Sequence, residues 1–128
     1  MAYRVLLVDD SAAMRAFIRR VLDLCGLEIE ALFEAGDGRE ALELLEREWV
    51  DVILTDINMP GMDGEEFIQR LASSGAANTT PIIVVSTDAT TARREHLLQL
   101  GARGYLVKPF APETLQSEIE RVLGGSHA

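Results

Sequence analysis

Val5-Leu6-Leu7-Val8-Asp9-Asp10 drives four apolar residues straight into two adjacent carboxylates. The apolar run calls for burial, while the two acids repel each other and need water or a cation. A short run of this kind that stops abruptly at acid reads as a buried strand whose end opens on a polar site. The pattern recurs along the chain. Short runs rich in Val, Ile and Leu predict strands near 4–8, 29–34, 51–55, 82–86 and 104–107. Longer stretches with apolar residues three and four apart predict helices near 12–25, 38–48, 64–73, 90–100 and 112–123. Five such βα units imply an α/β fold, a mostly parallel sheet covered on both faces. The second strand, Ile29-Glu30-Ala31-Leu32-Phe33-Glu34, alternates more than the others and is expected at an edge.

The helical stripes supply the cover. Met14, Phe17, Ile18, Val21, Leu22 and Cys25 fall on one face of the first helix, which makes Cys25 a small buried hydrophobe rather than a reactive thiol. Ala41, Leu42, Leu45 and Trp49 are expected to face inward from the second helix, and Leu115, Ile119, Val122 and Leu123 from the last. Asp37-Gly38 and Ala111-Pro112 read as helix starts.

The bulk numbers bound the function. A chain of 128 residues with 48% hydrophobic and 26% charged content fits one folded domain. That domain is expected over 1–123, with 124–128 as a flexible tail or the stub of a linker. No apolar run approaches the roughly 18 residues that a membrane span needs. The N-terminus meets acid too soon for a signal peptide, and the lone Cys25 cannot form an internal disulfide, so a cytoplasmic location is expected. A net charge of −9 leaves no general basic excess for nucleic acid and suits a cation or a basic partner face.

Chemistry collects where the strands stop. The first ends in Asp9-Asp10, the third in Asp56, the fourth in Ser86-Thr87 followed by Asp88, and the fifth in Lys108-Pro109. In an open parallel sheet these carboxyl ends share one edge, and ligands bind in the crevice outside it. Three carboxylates with one lysine want further positive charge. Mg²⁺, which takes one or two carboxylates and keeps several waters, fits; zinc does not, for want of a His or Cys cluster. Metal, lysine and hydroxyl together suit a phosphoryl group, and a carboxylate among them can serve as nucleophile. Asp56 ranks first for that role because its strand should be central. Each residue alone has a plainer reading: Asp10 as a helix cap in competition with Ser11, Asp56 as a turn residue before Met59-Pro60-Gly61, Lys108 as a surface lysine. Their shared position at the ends of successive strands favours the site.

The motifs VLLVDDS, ILTDINMPGMDG and GYLVKPF, in this order and spacing over residues 4 to about 123, resemble the receiver domain of bacterial two-component response regulators, most closely the stand-alone CheY-like type. The resemblance implies a doubly wound, flavodoxin-like sheet of five parallel strands in the order 2-1-3-4-5 with five helices. It implies Asp56 as phosphoacceptor, with Mg²⁺ held by Asp9, Asp10, Asp56 and the backbone carbonyl of Asn58. Ser86 matches the switch hydroxyl, Lys108 the lysine that contacts the phosphoryl group, and Tyr105 the aromatic switch residue, whose ring is expected to turn inward on activation. Thr87 takes a position that is usually small. Asn58 and Asp88 match the positions that flank the attacking water and tune hydrolysis, here toward seconds to minutes. The Lys108-Pro109 bond is usually cis in the family.

The function so implied is a phosphorylation-activated switch, not an enzyme beyond its own phosphorylation and dephosphorylation. It would be a monomer that takes its phosphoryl group from a histidine kinase or a histidine phosphotransfer domain. It would signal to a protein target through the face of the fourth helix, fifth strand and fifth helix, where Arg93 and Arg94 offer an electrostatic handle. A chemotaxis role stands first; a phosphorelay intermediate and the receiver half of a larger regulator are alternatives. A Mg²⁺-dependent phosphatase with an aspartyl nucleophile would need an acid two residues after it, where this chain has Asn58.

Overall fold

The structure, a computed structural model, describes residues 2–59, 61–73 and 80–124. Five strands and five helices alternate: β1 Ala2–Val8, α1 Ala12–Leu24, β2 Glu28–Ala35, α2 Gly38–Leu45, β3 Val52–Thr55, α3 Gly64–Ser73, β4 Ile82–Ser86, α4 Thr91–Leu100, β5 Gly104–Val107 and α5 Pro112–Gly124. All four strand pairings are parallel, in the order β2-β1-β3-β4-β5. The expected fold and the edge position of the second strand are both present. Gly124 closes α5, and the rest of the expected tail lies outside the described residues.

Side chains alternate across the sheet because successive strand residues point to opposite faces. Leu6, Val8, Ile53 and Val84 join Phe67, Ile68 and Leu97 in one core, on the α3 and α4 side. Val5, Leu7, Val52, Leu54, Ile83 and Val85 join Ile18, Leu22, Leu115 and Ile119 in the other, under α1 and α5. Cys25 is buried in this second core, as its place on the stripe predicts. Each fully buried Leu, Ile or Phe contributes about 1.5–3 kcal/mol of burial, and truncating one such as Phe67 to Ala costs about 3–5 kcal/mol.

The register places the site. β1 and β3 pair Val5 with Val52 through to Val8 with Thr55, so Asp9 and Asp56 are the next residues of neighbouring strands. The Asp56 N–H donates to the Val8 carbonyl at 2.9 Å. β4 and β5 pair Ser86 with Val107, and the Lys108 N–H donates to the Ser86 carbonyl at 2.8 Å.

Two expectations are corrected. The second helix ends at Leu45, where the N–H groups of Glu46 and Arg47 turn to carbonyls three residues back and tighten the chain. Trp49 therefore lies beyond the helix and 62% exposed, with the Arg4 guanidinium 4.4 Å from its ring centre. Phe17 of the first stripe is also exposed, edge-on to Phe110.

Candidate functional site

Ser11, not Asp10, caps α1: its Oγ accepts from the Met14 N–H at 3.1 Å. That leaves the exposed Asp10 carboxylate for the site. Asp9 is buried, with Oδ1 accepting from the Ser11 N–H at 2.9 Å and Oδ2 lying 3.5 Å from Lys108 Nζ. Asp9, Asp10 and Asp56 each bring a carboxylate oxygen within 4.8 Å of the others. Lys108 Nζ lies 3.6 Å from Asp56 Oδ1, and both side chains are nearly buried, at 12% and 13% exposure. The Lys108-Pro109 peptide bond is cis.

This charge set is unbalanced: three carboxylates share one ammonium within reach. Burial raises the Asp56 carboxyl above its ordinary range; Lys108 and the Ile57 N–H, 2.8 Å from Oδ1, oppose the rise, Asp9 adds to it, and the Asn58 N–H opposes it. An all-oxygen donor set around a partly neutralised cluster suits a hard divalent cation such as Mg²⁺ and suits zinc poorly.

The remaining residues ring the same edge. Ser86 is buried at the end of β4, and its Oγ accepts from the Asp88 N–H at 3.1 Å, which leaves its own hydrogen to donate. Thr87 is exposed. Asp88 is exposed, and Oδ1 accepts from the Thr90 N–H at 2.9 Å. Bonds from the Thr90 backbone and hydroxyl hold the Asp88 carboxyl below the ordinary range, so this group is committed to its local turn. Asn58 is exposed two residues past Asp56.

Tyr105 differs from expectation. Its ring is already inward, 5% exposed, with the hydroxyl donating to the Asp88 carbonyl at 2.6 Å and Arg94 lying 5.5 Å from the ring centre. That bond ties β5 to the loop after Ser86. Arg93 and Arg94, expected as a pair, also part company. Arg93 turns toward α3 and meets Glu65 at 3.2 Å, so only Arg94 lies on the outer face.

Three contributors escaped the sequence reading. Gly64 begins α3 so close to the site that a Cβ there would come within 2.5 Å of the Asp56 carbonyl oxygen and 2.7 Å of Ile57 Cα. Its N–H donates to the Ile57 carbonyl at 2.8 Å. The signal available was Asp63, which caps α3 by accepting from the Glu66 N–H at 3.0 Å. Arg15 reaches back from α1 to the Asp9 carbonyl and to Glu34 Oε1 at 3.0 Å. Glu118 accepts from the Tyr105 N–H at 2.9 Å.

Comparison with known proteins agrees with this arrangement. The response regulator receiver domain family matches residues 5–120. The chain belongs to that family. This receiver is 38% identical to the chemotaxis protein CheY homolog of Campylobacter jejuni, over 94% of its own length and 92% of the relative's. The structure of the chemotaxis response regulator CheY4 of Vibrio cholerae superposes on the receiver with a TM-score of 0.84 at 38% identity, covering 96% of this chain and 100% of that one. The receiver domain of sensor histidine kinase PA1611 from Pseudomonas aeruginosa has a magnesium ion coordinated in its active site cleft. It superposes with a TM-score of 0.83 at 30% identity, covering 97% and 99%. Among the described residues no helix of the receiver is long and apolar enough to cross a membrane.

Proposed function

We propose that this receiver is a phosphorylation-activated switch of the chemotaxis type, with Asp56 as phosphoacceptor. The observation that carries the reading is Lys108 Nζ, 3.6 Å from Asp56 and 3.5 Å from Asp9, beside three convergent carboxylates. An Asp56 oxygen attacks the phosphorus of a phosphohistidine on a partner kinase. The P–N bond breaks, its electron pair stays on the imidazole, which takes a proton, and an acyl phosphate forms. Lys108 holds one phosphoryl oxygen by its ammonium hydrogens. Asp9, Asp10, Asp56 and the Asn58 carbonyl would hold Mg²⁺, which supplies charge neutralisation to the phosphoryl oxygens when bound. Hydrolysis reverses the bond: water attacks phosphorus and the carboxylate leaves as inorganic phosphate is released. The output is a conformation rather than a product.

The Ser86 hydroxyl, free to donate, is drawn to a phosphoryl oxygen. It then gives up its bond from the Asp88 N–H, and the loop after β4 shifts. Because Tyr105 holds the Asp88 carbonyl, that shift reaches β5 and the outer face around Arg94. A chemotaxis role rests on the names of the relatives, and a cytoplasmic, monomeric chain acting on a protein target accords with it. Hydrogen exchange with and without beryllofluoride, a stable phosphoryl mimic, tests the switch. Amides in 87–107 should change, and Ser86→Ala should weaken that change. Identical exchange there in both states would sink the reading.

A further inference from the structure

The face that α4 turns toward the rest of the protein is only half apolar. Leu97 is the one fully buried residue of this helix, with Leu100 partly buried beside it. Arg93 and His96, at i−4 and i−1 from Leu97, share that face. Both meet one carboxylate on α3: Arg93 Nη1 lies 3.2 Å from Glu65 Oε2, and His96 Nε2 lies 2.6 Å from Glu65 Oε1. Glu65 and Arg93 are about 70% buried in this contact, at 30% and 29% side-chain exposure, and His96 is half exposed.

The two helices so joined follow neighbouring strands, β3 and β4, whose ends both border the site. Glu65 is the second residue of α3, next to Gly64, whose close approach to the Asp56 carbonyl couples the start of that helix to the phosphoacceptor loop. Arg93 lies in the first turn of α4, directly after the Ser86–Asp88 loop, and the neighbouring Arg94 covers Tyr105.

We propose that Glu65 is a clasp that holds α4 in its resting place through Arg93 and His96, and so sets how readily the switch moves. An ordinary exposed ion pair contributes little. Here one carboxylate engages two partners with both oxygens, and the helix it restrains has a single fully buried side chain to anchor it otherwise. Segments with few buried apolar contacts open locally at low cost, so a polar tie carries a large share of their order. The regulatory part rests on the switch reading above; the mechanical part does not.

Glu65→Gln keeps the shape and removes the charge. In the full-length, unphosphorylated chain, amides of residues 94–100 should then exchange about fivefold faster, while those of β1 and β3 keep their rates. Arg93→Met should accelerate the same amides in the wild-type background and add little to Glu65→Gln, because both remove one interaction. Phosphorylation by acetyl phosphate with Mg²⁺ should also be faster in the Glu65→Gln chain, since a freer α4 samples the activated arrangement more often. Unchanged exchange across α4, or fully additive effects of the two substitutions, would overturn the clasp and leave the switch reading intact. A wild-type chain that takes no phosphoryl group would overturn the switch reading, and with it the regulatory role, while the exchange result still decides the mechanical one.

Discussion

Lys108 Nζ lies 3.6 Å from Asp56 Oδ1 and 3.5 Å from Asp9 Oδ2, a single ammonium between two nearly buried carboxylates from neighbouring strands. The pairing exists because the registers of β1 with β3 and of β4 with β5 bring four strand ends to one edge. Removing the ammonium leaves both acids without compensation. Lys108→Ala should therefore lower stability in metal-free buffer at pH 7 by roughly 1–3 kcal/mol, between the value of an exposed pair and that of a broken buried one. Urea unfolding measures this, and added Mg²⁺ should recover part of the loss. A neutral effect would mean that the pair is solvated.

Asp10 adds charge without a helix-capping role, since Ser11 caps α1. Asp10→Ala should keep the fold and raise the metal-free melting temperature slightly by relieving repulsion. It should also abolish most of the rise in melting temperature that Mg²⁺ gives the wild-type chain. An undiminished Mg²⁺ response would remove Asp10 from the ligand set.

The raised Asp56 carboxyl makes stability depend on pH. Burial is the main cause, and the ordinary value is 3.8. Between that value and the higher native one, the native chain holds a proton that the unfolded chain releases, so stability falls as pH rises through this window. Above it the deficit is constant. Asp56→Asn removes the deficit and should melt higher than wild type at pH 7 without Mg²⁺, as thermal unfolding measures. The difference should close as pH falls through the window toward 3.8. A gap that persists or widens in acid would contradict the assignment.

Trp49 supplies a negative control. It is exposed against Arg4 at the far end of β3 from Asp56, roughly 20 Å away at ~3.3 Å per residue. Its emission should stay constant when Mg²⁺ or acetyl phosphate is added to the folded chain. Quenching at millimolar Mg²⁺ would place the metal elsewhere.

Much of this protein is legible in its sequence, because strand ends and helical stripes leave periodic marks. The acids after Val8 and Thr55 and the lysine after Val107 follow directly from where apolar runs stop. Trp49 was misplaced because an apolar residue at helical spacing looks the same whether or not the helix has already tightened and ended at Leu45. Arg93 was misread because a basic residue early in a helix looks solvent-facing until the facing helix is seen to offer Glu65. The inward Tyr105 ring depends on the Asp88 carbonyl, a backbone group that carries no sequence signal. The need for glycine at 64 is a matter of 2.5 Å between a Cβ and the Asp56 carbonyl, which only the fold reveals.

The central claim is that Asp56 is the group that accepts a phosphoryl group. Mass spectrometry of the intact chain after incubation with acetyl phosphate and Mg²⁺ tests it most directly. The wild-type chain should gain the mass of one phosphoryl group, the gain should vanish when Mg²⁺ is chelated, and Asp56→Asn should show none, since an amide of nearly the same shape is a poor nucleophile. A full-yield phosphoryl adduct on the Asp56→Asn chain would contradict the account.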